Sequence, residues 1–349
     1  MSESDLITIT HTNPSRAWLE SANEEILEPG LRIIDAHHHF SEHWGGYFPA
    51  ELIADLESGH KIVGTVYIQC GLGYRETGPD PLKPVGETET VVSLVKKIPP
   101  EHKRLNIAAG IIGYADLALG ESVAEVLQAH LDAGEGRFKG IRCSGARNEH
   151  FKHGVLPRPP AGLYASRDFQ AGFARLQEHG LSFESWLYHP QLGDLLELAR
   201  KFPSTPIMIN HVGGTLGVGP YEGQRAQVMQ AWKPMMKSLA ACENVCVKLG
   251  GLGTAVYGYR FHEQPTPSSE EIARAWEPYF HTCIEYFGAD RCLFESNYPV
   301  DRAAGSYPVL WNAFKRIAAS ASPSEKAAMF HDNAARFYRL PMKESVGAL

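Results

Sequence analysis

The chain has 349 residues, of which 44% are hydrophobic and 21% are charged, a composition typical of a globular protein with a large core. Its formal net charge of −7 excludes the strongly basic surface that nucleic acids or anionic membranes require. No stretch approaches the ~18 consecutive apolar residues of a membrane helix, and residues 1–10 lack the apolar segment of a secretory signal. We therefore expect a cytoplasmic protein with no nucleic-acid or membrane partner.

Residues 1–30 are polar and contain turn signals, so we interpret them as an N-terminal extension that packs against the body. From residue 31 onward, short apolar runs alternate with longer segments of helical periodicity. Eight of these runs are predicted strands: Arg32–Ala36, Thr65–Gln69, Asn106–Ile112, Phe138–Arg142, Ser182–Leu187, Pro206–Asn210, Val245–Leu249 and Cys292–Phe294. The helical segments are Pro49–Gly59, Glu87–Lys97, Ser122–Ala133, Ser166–His179, Gln191–Lys201, Gln224–Ala241, Ser269–Phe287 and Tyr307–Ala319.

Eight strand–helix units predict an α/β fold, a single (β/α)8 TIM barrel over residues 31–349. A doubly wound open sheet is the alternative, but no glycine-rich turn follows the first strand. Two connections are long, Gly71–Gly86 after the second strand and Ser144–Ala165 after the fourth. Both should lie at the carboxyl face of the barrel and shape a substrate pocket, although both could instead be ordinary surface loops.

The first predicted strand ends in three consecutive histidines. Because side chains alternate along a strand, His37 and His39 share one face while His38 points to the other. Two imidazoles at the carboxyl end of a strand can hold a divalent metal or polarise a carbonyl and a water. The alternative is a histidine-rich turn with no function.

Other strand ends also carry polar residues, and in a barrel these side chains meet over the active site. They are Arg142, His189, His211, Lys248 and Asn297, with Glu295 and Asp301 nearby. A guanidinium can grip a carboxylate in a bidentate fashion. Each residue also has a structural alternative: a satisfied core histidine, a helix cap, or a buried ion pair.

Four motifs in this order resemble the amidohydrolase superfamily, in particular the group that contains 2-pyrone-4,6-dicarboxylate hydrolase and sugar lactonases. They are Asp35–His39, Gly140–Arg142, Asn210–Gly213 and Phe294–Pro299, and the closing His331–Tyr338 is similar to the terminal helix of that group. The resemblance implies a distorted barrel that hydrolyses a ring ester or amide, or decarboxylates an aromatic acid. It implies that His37, His39 and His211 form the core of the site, with His189 as a further candidate.

The eighth strand departs from the family pattern, because Asn297 stands where the family places an aspartate. An amide carries no negative charge and is a poor base, so metal binding and proton abstraction at this position should both weaken. Asp301 and Glu295 are the nearest carboxylates that could substitute for it. A natural variant is our preferred interpretation, since the neighbouring Tyr298 also differs from the family pattern.

We therefore predict a hydrolase that opens a small, carboxylated lactone. His37 and His39 would polarise the carbonyl, His211 would act as the general base, and Asn297 would donate a hydrogen bond to the oxyanion. Substrate contacts are expected from Arg142, Arg147, Tyr74, His189 and Asp301.

The cofactor prediction is left open. A divalent metal such as zinc would be held by His37, His39 and His189 (or His211), and a metal-free route is also compatible with the sequence. A decarboxylase of an aromatic or unsaturated acid and a ligand-binding pseudoenzyme remain as alternative functions. A homodimer also remains open.

Overall fold

A computed structural model describes residues 6–153 and 158–341, in which eight parallel strands form a barrel. The predicted domain end at Leu349 and the start of the predicted extension lie outside these residues. In chain order the barrel strands are β2 (Arg32–His38), β3 (Lys61–Ile68), β4 (Gly110–Gly113), β5 (Phe138–Arg142), β7 (Ser182–Ser185), β8 (Ile207–Ile209), β9 (Val245–Leu249) and β10 (Cys292–Phe294). A parallel bridge between His38 and Tyr298 brings the first and last strands together, which confirms the predicted barrel.

Helices alternate with the barrel strands as the periodicity predicted. They are α2 (Pro49–Leu56), α3 (Val85–Lys96), α4 (Val123–Ala133), α5 (Arg167–Glu178), α6 (Leu192–Lys201), α7 (Arg225–Ala240), α8 (Ser269–Phe287) and α9 (Tyr307–Ile317), with a short α1 (Arg16–Glu20) before the barrel and α10 (Pro323–Ala327) and α11 (Asn333–Phe337) after it. Local sequence fixes several helix starts: Ser268 and Glu271 form a capping box at α8, and Ser166 caps α5. No helix among the described residues is long and apolar enough to cross a membrane.

Several strand boundaries differ from the prediction: the second barrel strand begins at Lys61 rather than Thr65, and the fifth ends at Ser185 rather than Leu187. The third barrel strand begins at Gly110 rather than Asn106, because Asn106 and Ala108 adopt positive φ angles of 44° and 46°, which a strand does not allow. The first barrel strand extends two residues beyond Ala36, so His37 and His38 belong to the strand itself.

A second, two-stranded sheet was not predicted. Strand β1 (Ile7–Ile9) pairs in parallel with β6 (Phe151–His153), which lies in the long loop after β5. This pairing carries the N-terminal segment to the carboxyl face of the barrel. The extension is also attached further along, where Glu24 accepts hydrogen bonds from the backbone and hydroxyl of Ser269 at the start of α8.

Candidate active site

A cavity of about 110 Å³ opens at the carboxyl face of the barrel. Such a volume holds several waters or a small organic molecule. The lining is aromatic and polar, and the loops after the strands supply most of it: Ile9, His11, His39, Trp44, Cys70, Arg142, Trp186, Tyr188, His211, Thr254, Val256, Asn297 and Val300. Four of the residues predicted at strand ends therefore border one cavity: His39, Arg142, His211 and Asn297.

His37 and His39 lie side by side with their Nε2 atoms 3.1 Å apart. Nδ1 of His39 donates to the carbonyl of Ile68 (2.7 Å), and Nδ1 of His37 lies 2.6 Å from Oε2 of Glu295. Because a carbonyl oxygen can only accept, Nδ1 of His39 carries the proton and its Nε2 carries a lone pair. Oε2 of Glu295 has no hydrogen-bond partner among the described residues, so its contact with His37 is electrostatic. Burial, together with nearby cations, holds the pKa of both imidazoles well below its usual value, so both rings are neutral at pH 7.

Two cations lie beside His37. Nη1 of Arg142 lies 3.4 Å from Nε2 of His37, and its Nη2 donates to the carbonyl of Gln69. Nζ of Lys248 lies 3.3 Å from Nδ1 of His37. Arg142 borders the cavity, and its Nε is buried without a hydrogen-bond partner within the described ranges.

His211 is paired with the last barrel strand. Its Nδ1 lies 2.6 Å from Oε1 of Glu295, so the proton is on Nδ1 and Nε2 is free to accept one. Burial alone would raise the pKa of Glu295, but the facing His211 and Lys248 hold it below its usual value, and the carboxylate stays ionised.

The backbone around His211 is strained. His211 and Val212 have φ angles of 51° and 49°, a conformation that costs a β-branched residue on the order of 1–3 kcal/mol. Gly251, at φ 77°, makes room for the ring, since a Cβ there would lie 2.0 Å from Nδ1 of His211. Strain retained at this point is typical of a functional position.

A fully buried ion pair lies beneath the histidines. Lys248 and Glu184 are 2.8 Å apart with no solvent exposure of either side chain. Glu184 also accepts from Asn210 Nδ2 (2.7 Å) and from the hydroxyl of Tyr338 (2.6 Å). With Arg142 and Glu295, the pair gives two cations and two anions, so the buried charge of the site is balanced.

Asn297 does not point its NH2 group at the cavity, which corrects the predicted oxyanion donor. Nδ2 donates to Asp301 Oδ1 (2.8 Å) and to Thr254 Oγ1 (3.2 Å), and these two bonds use both of its hydrogens. The residue has a φ of 52°, a left-handed conformation that asparagine tolerates better than most residues. Its turn includes a cis peptide between Tyr298 and Pro299.

Five residues predicted for catalysis, substrate contact or metal binding lie outside the cavity lining. His37 is one of them, fully buried beside His39. Arg147 donates to the carbonyl of Pro159 within its own loop. His189 accepts the backbone N–H of Leu216 on Nδ1 and packs edge-on against a tyrosine ring, so it does not join the histidine cluster. Tyr74 is half-buried beside the cavity wall, and Asp301 is fully buried with both carboxylate oxygens bound to neighbouring groups.

Sequence reasoning missed or undervalued several site residues. Glu295 was named only as a substitute carboxylate, and Glu184, inside β7, was not singled out. Trp44, Trp186 and Tyr188 line the cavity from loops, where no periodic signal marks them. Ile9 and His11 reach it only through the pairing of β1 with β6.

The residues present fit a divalent metal. Zinc–nitrogen bonds of about 2.0–2.1 Å at tetrahedral angles place two ligand nitrogens about 3.3 Å apart. The Nε2 atoms of His37 and His39 are 3.1 Å apart, which is close to that distance. Ligand atoms of His37, His211 and Glu295 also lie within 4.8 Å of one another. His37 is common to both sets, and His189 belongs to neither. Lys248 and Arg142 would repel a cation, so the site should bind it weakly.

Comparisons with known proteins agree with this fold. The family model for amidohydrolases matches residues 102–340. An uncharacterised protein of Sinorhizobium fredii is 34% identical over 84% of this chain and 86% of its own length. An L-fucono-1,5-lactonase of Burkholderia ambifaria is 27% identical over 88% of this chain and 95% of its own. A Burkholderia multivorans amidohydrolase solved with bound zinc superimposes with a TM-score of 0.66 at 22% identity, covering 88% of this chain and 99% of that structure.

An α/β barrel with histidines and a carboxylate converging at the carboxyl ends of its strands defines a class of metal-dependent or histidine-assisted hydrolases. The chain belongs to the amidohydrolase family. This confirms the resemblance seen in its strand-end motifs.

Proposed function

We propose that this protein is a lactonase, a hydrolase that opens a small cyclic ester by attack of water. The observation that carries the proposal is the His211–Glu295 pair at the cavity, which presents an unprotonated Nε2 on a fixed imidazole. The relatives named L-fucono-1,5-lactonase support the same reaction class, since they match this chain over nearly their whole length. Aromatic rings on the cavity wall suit the face of a small ring.

In the proposed reaction, water attacks the ester carbonyl and gives a proton to Nε2 of His211. The developing imidazolium is stabilised by the ionised Glu295 on Nδ1. The tetrahedral oxyanion forms beside the guanidinium of Arg142, whose positive charge borders the same cavity.

Collapse of that intermediate breaks the bond from the carbonyl carbon to the ring oxygen. The leaving alkoxide takes the proton from His211 and the ring opens to a hydroxy acid. The acid ionises at neutral pH, so one proton is released per turnover. Arg142 is then placed to hold the carboxylate that forms.

His37 and His39 are the residues that would hold a divalent metal, with Glu295 as the nearest anionic ligand. When bound, such an ion supplies Lewis-acid polarisation of the carbonyl and lowers the pKa of a bound water. The neutral imidazole of His39 borders the cavity with Arg142 and limits where the ester can lie, while His37 is fully buried beside it.

Turnover of a lactone panel tests the proposal. The purified protein is assayed with L-fucono-1,5-lactone, other aldonolactones and 2-pyrone-4,6-dicarboxylate, with proton release followed at constant pH and carbon dioxide measured in parallel. We expect one proton per ring opened and no carbon dioxide. The carboxylated pyrone tests the predicted preference for a carboxylated substrate against the neutral sugar lactones.

Two variants define the result. His211→Ala should lower kcat by at least about 10²-fold through loss of the general base, while His281→Ala, half-exposed on α8, serves as the matched histidine control. Carbon dioxide released from an aromatic acid would instead establish the decarboxylase alternative. Ligand binding without turnover of any lactone would establish the pseudoenzyme.

A further inference from the structure

The turn after β10 locks the side-chain amide of Asn297 in one orientation. Both hydrogens of Nδ2 are used, by Asp301 Oδ1 at 2.8 Å and Thr254 Oγ1 at 3.2 Å. Asp301 itself is fixed, since its Oδ2 accepts the backbone N–H of Gly253 at 3.1 Å. The backbone N–H of residue 301 donates to the carbonyl of Asn297, which closes the turn and keeps the two side chains in contact.

We propose that Asn297 acts through its oxygen, as an acceptor that orients the attacking water, and that Asp301 is the positioning residue that fixes this orientation. The inference rests on the proposed lactonase function. Asn297 and His211 border the same cavity. A water that donates one hydrogen to Nε2 of His211 and the other to Oδ1 of Asn297 has its remaining lone pairs available for the ester carbonyl.

This arrangement differs from a simple loss of the family aspartate. The carboxylate is retained one turn further along the chain, at Asp301, where it is wholly buried and excluded from the cavity lining. Burial raises the pKa of Asp301 to about 8, and the hydrogen bond from Asn297 opposes that rise. A carboxylate at position 297 would repel Asp301 instead. Water is thus oriented without a second base, and His211 alone takes the proton.

The fixed orientation of the Asn297 amide requires a carboxyl group at position 301. Gly253 N–H and Asn297 Nδ2 both donate to Asp301, and an asparagine there would offer one oxygen and one NH2 group to two donors. Asp301→Asn therefore leaves one donor facing another and frees the amide of Asn297 to turn. We expect kcat to fall about 10- to 100-fold with KM changed less than about threefold. Asp132→Asn, on the exposed face of α4, is the matched control.

A reciprocal exchange provides the second test. Asn297→Asp alone places two carboxylates in contact and should lower kcat at least tenfold. In the double variant Asn297→Asp, Asp301→Asn, the new amide donates to the new carboxylate while its oxygen accepts from Gly253. We expect this variant to recover at least tenfold in kcat over Asn297→Asp.

Neutron diffraction from deuterium-exchanged crystals of the wild-type protein reads the amide directly and does not depend on turnover. We expect both deuterons of Asn297 Nδ2 to point at Asp301 and Thr254. A protonated Asp301 that donates to Asn297, with the ND2 group turned into the cavity, overturns the proposal. Unchanged kcat in Asp301→Asn also overturns it. A wild-type protein that hydrolyses no lactone refutes the proposed function, while the neutron result still decides the orientation.

Discussion

Nδ1 of His211 lies 2.6 Å from Oε1 of Glu295, and both groups are removed from solvent. The second oxygen of the same carboxylate lies 2.6 Å from Nδ1 of His37. One side chain, immediately after β10, therefore faces two imidazoles from distant parts of the chain. Because a carboxylate accepts only, the hydrogen bond to Oε1 places the proton of His211 on Nδ1 and its lone pair on Nε2, away from Glu295.

The first prediction follows from that relationship. Glu295→Gln keeps the size of the side chain but removes the charge that stabilises the imidazolium of His211, and its NH2 group disfavours the required tautomer. We expect kcat for lactone opening to fall about 10²- to 10⁴-fold while the fold is retained. Steady-state kinetics measure the effect, and circular dichroism checks the fold. Glu89→Gln, at an exposed ion pair, is the control. Wild-type kcat in Glu295→Gln would remove this pair from the mechanism.

The second prediction concerns Arg142. Its guanidinium contacts His37 and the carbonyl of Gln69, and it also borders the cavity. A lysine ammonium cannot reach all three positions, because it lacks the planar fork of the guanidinium. We expect Arg142→Lys to raise KM about tenfold or more for a carboxylated lactone and to lower kcat for every lactone, because the oxyanion loses its donor.

Arg147→Lys is the informative comparison. The sequence marked Arg147 as a second substrate contact, but its guanidinium donates to a loop carbonyl outside the cavity. We expect a change in KM below about threefold for this variant. A KM effect equal to that of Arg142→Lys would show that the loop after β5 rearranges over bound substrate.

Most of the barrel could be predicted because its strands are buried on both faces. Continuous apolar runs such as Ile207–Ile209 and Cys292–Phe294 are separated by helical periods, and this alternation leaves few alternatives to a closed parallel sheet. The pairing of β1 with β6 could not be predicted. Both strands have three residues, and they lie more than a hundred residues apart, so neither carries a periodic signal of its own.

The positions of candidate site residues could be predicted where those residues lie at the carboxyl ends of strands. His37, His39 and His211 were found because alternation and position place them over the barrel mouth. The orientation of Asn297 was not, since it depends on Asp301 and Thr254, and contacts between separate loops leave no local pattern. His189 was overestimated because proximity to a strand end does not specify which way a turn directs its ring.

The third prediction concerns metal binding. The adjacent Nε2 atoms of His37 and His39 provide two ligands for zinc, while the positive charges of Lys248 and Arg142 repel the ion. We expect His39→Ala to weaken zinc affinity at least tenfold, measured by competition with a chromophoric chelator. His43→Ala, in the loop that follows, is the control. Equal zinc affinity in both variants would place the ion elsewhere, for example at His37, His211 and Glu295.

The fourth prediction concerns stability against pH. Burial lowers the pKa of His130 to about 4, and the neutral ring accepts from Thr88 Oγ1 while donating to the carbonyl of Tyr114. The unfolded chain binds a proton there at about pH 6.5, so this contribution is complete above that pH and is lost as the pH falls toward 4. The raised pKa values of buried aspartates favour the folded state as the pH falls, which is opposite to the effect of His130.

A variant separates the contribution of His130 to the pH dependence of stability from that of the buried aspartates. We expect the difference in unfolding free energy between pH 7 and pH 5 to be about 2 kcal/mol smaller in His130→Gln than in the wild type. Urea denaturation at both pH values measures it, with His281→Gln on the outer face of α8 as the control. An unchanged difference would mean that His130 is protonated in the native state at pH 5.

The last prediction concerns the ion pair beneath the site. Lys248 and Glu184 are 2.8 Å apart and wholly buried, and removing one partner leaves the other as an uncompensated charge. We expect Lys248→Met to lower the unfolding free energy by about 3–5 kcal/mol, measured by urea denaturation. Adding Glu184→Gln to that variant removes the isolated charge and should restore part of the loss.

A surface pair with the same geometry supplies the control. Lys326 and Glu28 are also 2.8 Å apart, but the glutamate is 43% exposed, so solvent screens the pair. Lys326→Met should cost less than about 1 kcal/mol. A similarly small cost for Lys248→Met would show that Glu184 is protonated in the folded protein. The buried charges around His37 would then no longer balance, and Asn297 in place of an aspartate would leave the site with a net positive charge.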